Sequence, residues 1–367
     1  MKVTLETKTL KNLIARIMKG VGNNESMMRT CWIGIKCQEN TLYMTAWDGE
    51  NYLQVSEDKI MCDDFKVTVT ANTFSQLVSK TTSENITLEL KDKYLRVKGN
   101  GDYKLELPVN DEGELDNYPE LVFDTKGKGK KIKLSAIVWG IEGNKISLAK
   151  TPENPCLMCY YFGDEILTTN NMTAAMSNIN VFGTPVMLKA ELVNLVATME
   201  NEDITVWTDK NRIMFKTPKT TILGYFDEGR QEFEDSQGDE ESIADGLRTL
   251  FNTTCPSSCA VEKDKLLGIL DRIMLFVKTK EEGIRVMFTQ NGIQFYNKDN
   301  SVNELLPYAE SNNFVGFEVK LQLDVLKELI TSVCGDKCYI EYGTEGYLKF
   351  GKEKRHHLLT VLAEENN

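Results

Sequence analysis

An α+β fold made of three tandem copies of one module, each with two helices and an antiparallel sheet, is the class this sequence predicts. Two observations predict it. First, the chain repeats itself. Residues 69–107 laid over residues 187–225 without a gap put Phe74 on Leu192, Leu77 on Leu195, Val78 on Val196, Ile86 on Ile204, Leu88 on Val206, Val97 on Phe215 and Leu105 on Leu223. A third copy aligns Leu326, Leu329 and Ile330 with Phe74, Leu77 and Val78 and, after a one-residue slip, Phe350 and Leu358 with Val97 and Leu105. Second, segments of helical period alternate with short runs of period two. Self-similarity at a fixed period marks a duplicated supersecondary unit whose copies stack, so function is sought in the assembled array.

The elements follow in order. Residues 1–6 alternate as a strand does. Residues 8–19 form a helix: Leu10, Leu13, Ile14, Ile17 and Met18 cluster on one face, and the other carries Lys8, Asn12, Arg16 and Lys19 with no acid. Residues 3–18 recur at 259–274, where Arg272 takes the place of Arg16. Residues 132–149 are the middle member, their period weakened by Gly140 and Gly143. Residues 189–199 and 321–333 are helices by the same spacing. Ile86–Leu90 with Tyr94–Val97, and Ile204–Trp207 with Arg212–Phe215, read as antiparallel hairpins with one wet face. The connectors place domains at 1–122, 123–256 and 257–367. Residues 110–125, with Tyr118-Pro119, read as an extended link; residues 227–257 are longer than a link needs and read as a mobile acidic loop.

Composition narrows the function. A chain of 367 residues exceeds one ordinary core at ~150 residues per domain. No stretch approaches the ~20 apolar residues of a membrane span, and the N-terminus lacks a signal-peptide run, so a cytoplasmic protein is expected, without membrane contact. The cysteine pairs Cys156/Cys159, Cys255/Cys259 and Cys334/Cys338 invite a zinc reading, but buried reduced thiols suit a cytosolic chain better, and no metal is expected. An enzyme reading finds no site: there is no phosphate loop, no GxSxG, and the only histidines are the adjacent His356 and His357.

The net charge of −12 is unevenly placed. Segment 126–150 carries Lys126, Lys128, Lys130, Lys131, Lys133, Lys145 and Lys150 against Glu142, whereas 227–245 holds nine acids against Arg230. An acidic exterior with a basic lining confines polyanion attraction to one surface.

The order, spacing and threefold recurrence, with Leu42-Tyr-Met-Thr-Ala-Trp-Asp-Gly-Glu-Asn, Val69-Thr-Ala-Asn-Thr-Phe-Ser-Gln-Leu-Val and Leu105-Glu-Leu-Pro before Tyr118-Pro119, resemble the bacterial DNA polymerase III β subunit, the sliding clamp. The resemblance spans nearly the whole chain. It implies the DNA clamp fold and a head-to-tail homodimer of six domains around duplex DNA, helices inside and sheets outside. It also implies a processivity factor with no cofactor, serving the replicative polymerase and clamp-loader subunits. Phosphate contacts without base readout are then expected from Lys8, Lys11, Arg16, Lys19, Lys133, Lys145, Lys263 and Arg272.

The family's partner-peptide pocket falls on Thr169, Asn171, Met172 and Thr173 on one wall and on Leu358, Thr360 and Leu362 on the other. Thr169 keeps the family pattern; Asn170, Asn171, Met172 and Thr173 depart from it, as in a divergent or phage-borne member. The dimer seam falls on Leu275, which stands where the first helix has Lys19, and on Phe276, facing Tyr103 and Leu105 of the partner. A non-encircling monomeric three-domain peptide-binding scaffold is the rival reading. The acidic charge and altered pocket favour the rival, and the basic helix favours the clamp.

Overall fold

The computed structural model describes residues 1–360 apart from 25, 110–113, 117, 126, 128, 152–153, 236–240, 280–282, 333–334 and 345. The chain divides into two compact units, Met1–Leu134 with Glu191–Phe226, and Ser135–Ala190 with Asp227–Asn367.

The described helices are α1 (Thr7–Ile17), α2 (Ala71–Lys80), α3 (Leu134–Asn144), α4 (Ala190–Val196), α5 (Arg230–Glu234), α6 (Ile243–Asn252), α7 (Lys263–Met274) and α8 (Leu323–Ser332). In α1 the buried residues Leu10, Leu13, Ile14 and Ile17 recur at helical spacing and face the sheet. Helix α1 packs beside α2, and α7 beside α8. The weak period of α3 has a cause in packing: a Cβ at Gly140 would overlap Ile166, and one at Gly143 the guanidinium of Arg355.

Two sheets belong to the first unit. One runs Phe65–Thr70, Trp32–Gln38, Thr41–Trp47, Tyr52–Glu57, Thr220–Tyr225, Arg212–Lys216, Asp203–Thr208, Lys130–Lys133; the other runs Lys2–Glu6, Asn85–Lys91, Tyr94–Lys98, Asp102–Glu106. The second unit has a nine-stranded sheet: Val186–Lys189, Cys159–Phe162, Ile166–Thr169, Thr173–Ser177, Arg355–Thr360, Tyr347–Lys352, Lys337–Tyr342, Ser257–Glu262, Glu310–Asn312. Its smaller sheet runs Asn303–Leu306, Gly292–Tyr296, Gly283–Thr289, Phe317–Gln322.

The repeat reappears in the strand register. The alignment equates Leu88 with Val206 and Val97 with Phe215; the rungs are Leu88↔Val97 and Val206↔Phe215. In the third copy the rung is Ile340↔Phe350, so the one-residue slip lies in the turn between those strands. The other half-modules agree: Leu5 pairs with Ile86, Ile132 with Ile204 and Val261 with Cys338. Each copy thus contributes two four-stranded halves, and neighbouring copies fuse edge to edge. Tyr52–Glu57 of the first copy pairs with Thr220–Tyr225 of the second, and Thr173–Ser177 of the second with Arg355–Thr360 of the third.

One expectation is overturned. The acidic stretch 227–257 is not a loop through its described residues but folds into α5 and α6. Ser242 caps α6, its Oγ accepting the Asp245 N–H at 3.1 Å. Ala244, Leu247 and Phe251 then fall on one face and, with Phe233, join a core with Tyr161, Leu167, Met187, Tyr347 and Leu358. The density of acids hid a helical period of small and large apolar residues. The other core of this unit lies under α7 and α8 and contains Cys259 and Cys338, whose thiols burial pushes up to about 12.

Candidate functional site

The expected cations do not form one uniform class. Lys8 and Lys19 are exposed and Lys11 is half-buried; α1 and α2 together carry no carboxylate. Arg16, expected on the wet face, is withdrawn from it: only 13% of its side chain is exposed. Its Nη2 donates to the Lys219 carbonyl at 2.8 Å and to Thr220 Oγ1 at 2.7 Å, and its Nε lies 3.3 Å from Glu200. A fork of donors that reaches a backbone carbonyl and a hydroxyl is committed to holding the second copy's strand against the first helix.

The repeat-equivalent Arg272 is also engaged, by a bidentate pair with Glu304 at 2.5–3.2 Å that holds the carboxyl below its usual range. Lys133 meets Asp203 at 2.6 Å, which likewise lowers that carboxyl, and Lys263 donates to the Thr331 carbonyl at 3.0 Å. Lys145 is exposed just past α3. Helices α7 and α8 mix signs, with Lys327 2.5 Å from Asp271. The acid-free helical face therefore belongs to α1 and α2.

The expected pocket residues divide between a rim and a core. Asn170 Oδ1 accepts the N–H groups of Met172 (3.0 Å) and Thr173 (2.8 Å). Thr169 Oγ1 donates to the Thr173 carbonyl at 3.0 Å, and Asn171 takes a φ of +70°, which asparagine tolerates. The tight loop lifts Met172 to 36% exposure. The Met172 carbonyl accepts both the N–H and Oγ1 of Thr360, at 3.0 and 3.1 Å. Thr169, Asn171, Met172, Thr173 and Thr360 are thus brought together.

Leu358 is not on an open wall: it is 4% exposed, inside the core beneath α5 and α6. Leu362 lies outside the described residues. Two organisers were missed from the sequence. One is Asn170. The other is Lys349, 5% exposed, whose Nζ donates to the carbonyls of Phe251 (2.9 Å) and Thr253 (2.7 Å) and so ties down the C-terminal end of α6. Alternation alone gave no hint that this strand lysine would be buried.

On the neighbouring strand, Arg355–Thr360, His357 is 1% exposed and both ring nitrogens lack a hydrogen-bond partner. Burial first, then the positive charge of Arg355 and His356, pulls its pKa down from 6.5 to about 4. The folded chain therefore keeps it neutral where the unfolded chain protonates it. Stability is expected to fall as pH drops from 6.5 towards 4, by at most about 1.4 kcal/mol per unit. Urea midpoints between pH 4.5 and 7 should show this slope, and His357→Leu should flatten it; an equal slope in the variant would contradict the account.

Each four-stranded sheet leaves an edge strand, Asp102–Glu106 in the first unit and Asn303–Leu306 in the second. Beside the second, Leu275 is 81% exposed and Phe276 52%, and the edge itself shows Leu305 at 47%. On the first, Tyr103 is 42% exposed and Leu105 half-buried. Apolar side chains on unpaired edges are unusual for a surface that meets only water.

Comparison with known proteins decides the fold. The chain aligns over its full length with the sliding clamp of Bacillus subtilis, covering 100% of both chains at a TM-score of 0.83 and 12% identity. It has the sliding-clamp fold. The β subunit of Streptococcus pyogenes superposes with a TM-score of 0.84 at 13% identity, over 99% of this chain and 100% of that one. The subunit of Borrelia burgdorferi superposes at 0.84 and 14%, over 100% of both. Residues 1–121 match the family described as DNA polymerase III beta subunit, N-terminal domain. No curated protein sequence matches the chain significantly. Among the described residues no helix is long and apolar enough to cross a membrane.

Proposed function

We propose that the chain is a non-enzymatic DNA polymerase processivity factor: a head-to-tail homodimer that encircles duplex DNA and tethers polymerase and clamp-loader subunits. The domains would be 1–122, 123–256 and 257–367. The observation that carries this reading is the repeated junction. Each copy offers one sheet edge to the next, and the chain ends with one edge of each kind unused. A second chain supplies both missing partners, and closure at two subunits makes the six-domain ring that the resemblance implies.

The two internal junctions also set a register. The equivalents of Leu105 are Leu223 and Leu358, which pair with Tyr52 and Ala174, the residues on the last rungs of their hairpins. The matching rung in the third copy is Tyr296↔Asn303. Extending the rule sets Leu105 opposite Asn303 of the next chain, Tyr103 opposite Leu305, and Lys104 opposite Glu304. On two of these three rungs the partners are complementary, Tyr103 meeting apolar Leu305 and Lys104 meeting the anion Glu304, which favours cross-strand stability.

A sliding ring holds DNA through phosphate contacts only. The exposed Lys8 and Lys19 and the half-buried Lys11 would make these contacts, whereas Arg16 is engaged within the fold. Lys8→Glu, Lys11→Glu and Lys19→Glu combined remove six lysines from the two-chain ring, which should shorten residence on nicked circular DNA and lower the log–log salt slope by up to about 5, at ~0.9 per phosphate. The melting temperature should hold, and linearising the DNA should release the wild type. Unchanged residence, or tight sequence-specific binding to short linear duplex, would overturn the reading.

A further inference from the structure

The outer face of the eight-stranded sheet carries a site that the ring reading does not use. Lys36 and Lys66 are direct cross-strand partners there. Like charges in that position destabilise a sheet unless an anion lies between them. Here the anion is Glu120, contributed by the connector that crosses this face; its Oε1 lies 3.5 Å from Lys36 and 3.7 Å from Lys66, with the side chain 59% exposed. These distances exceed a charge-assisted hydrogen bond, so the carboxylate is held loosely. The connector is fixed elsewhere, by the Tyr118 N–H donating to Thr68 Oγ1 at 2.9 Å and by Arg212 donating to the Val122 carbonyl at 3.0 Å.

Beside the lysine pair opens a cavity of about 260 Å3 lined by Tyr43, Thr45 and Gln54. From it a single rung, Thr45–Gln54–Thr221–Lys216–Thr205–Lys131, runs across five more strands. It holds neutral hydrogen-bonding groups and two exposed lysines, and no acid, on a protein of net charge −12. Lys36 and Lys216 stand four strand spacings apart, about 19 Å, the reach of about six extended residues.

We propose that this face reads an acidic, extended segment of a partner protein. One carboxylate displaces Glu120 from Lys36 and Lys66, and a second, about six residues away, meets Lys216. Glu120 is the resident placeholder: tethered on the same chain, it competes at an effective concentration in the millimolar range and keeps the site closed to weak anions. A peptide is favoured over a phosphate backbone because the connector already lies here as an extended peptide with its glutamate on the lysine pair, and because Tyr43 is the only aromatic lining the cavity beside Tyr118, which is buried.

The test uses the full chain and a fluorescein-labelled peptide, Glu-Leu-Ser-Val-Ser-Leu-Glu, read by fluorescence anisotropy. Glu120→Gln should bind it about tenfold tighter than the wild type, since the tethered competitor is gone. Adding Lys36→Gln and Lys66→Gln should return binding to background, and the peptide with both glutamates replaced by glutamine should not bind. Glu120 is exposed, so circular dichroism and the melting temperature should match the wild type. Equal affinity for wild type and Glu120→Gln, or binding that ignores the two lysines, would overturn the proposal. So would lysine-dependent binding of oligo(dT) in place of the peptide, which would assign the face to a phosphate backbone.

Discussion

Replacing Leu275 and Phe276 together by alanine is expected to turn the proposed dimer into a folded monomer. Leu275 is 81% exposed in the single chain and Phe276 52%, so neither truncation opens a cavity, and unfolding stability should move by no more than about 0.5 kcal/mol per exposed site. In the ring both become buried anchors at the seam, where loss of a hot-spot side chain costs about 2 kcal/mol or more. Two anchors at each of two seams then lower ring stability by roughly 8 kcal/mol, a dimer dissociation constant higher by about six orders of magnitude at ~1.4 kcal/mol per decade. Sedimentation should report twice 41.6 kDa for the wild type and 41.6 kDa for the variant. The variant should also lose residence on circular DNA. An undisturbed dimer would place the seam on another surface. A wild type that is itself monomeric would favour the scaffold reading instead.

The array was legible because its information is carried by apolar spacing, and spacing survives divergence. The gapless match of residues 69–107 with 187–225 equated Leu88 with Val206 and Val97 with Phe215, and the structure pairs them in equivalent rungs, Leu88↔Val97 and Val206↔Phe215, since a one-residue slip would turn every inward side chain to water. The exposure of Leu275 followed from the same wheel that buries Leu266, Leu270 and Ile273.

What spacing could not show was which polar groups the fold would consume. Arg16 and Lys19 look alike on the helical wheel. Only the arrival of the strand Thr220–Tyr225, some two hundred residues later in the chain, turns Arg16 into a structural donor. Lys349 is equally ordinary in sequence and equally committed, because α6 brings two open carbonyls to it. Helix α6 was missed for the converse reason: nine acids between residues 227 and 245 dominate the composition, and four apolar residues, Ala244, Leu247, Phe251 and Phe233, decide the structure. Apolar burial outweighs exposed charge, since solvated carboxylates contribute little either way.

The fate of the last strand separates fold from partner binding. Leu358 and Leu359 point to opposite faces of Arg355–Thr360, and each is buried in a different core of the second unit, at 4% and 1% exposure. Their backbones bridge the strands Thr173–Ser177 and Tyr347–Lys352. Deleting residues 358–367 therefore removes two core leucines, at about 2–5 kcal/mol each, together with rungs on both sides. That loss is comparable to the whole stability of a typical domain, ~5–15 kcal/mol, so the second unit should fail to fold and the protein should aggregate. Deleting only residues 361–367 keeps both leucines and the two bonds from Thr360 to the Met172 carbonyl. This shorter truncation should melt within about 2 °C of the full chain, since it leaves the described core and its rungs intact, while removing Leu362 from the proposed peptide site. It should stay dimeric and remain on circular DNA but no longer stimulate its polymerase. Full stimulation by the shorter truncation would move the partner site away from the chain end, and cooperative melting of the longer one at the wild-type temperature would refute the core assignment of Leu358 and Leu359.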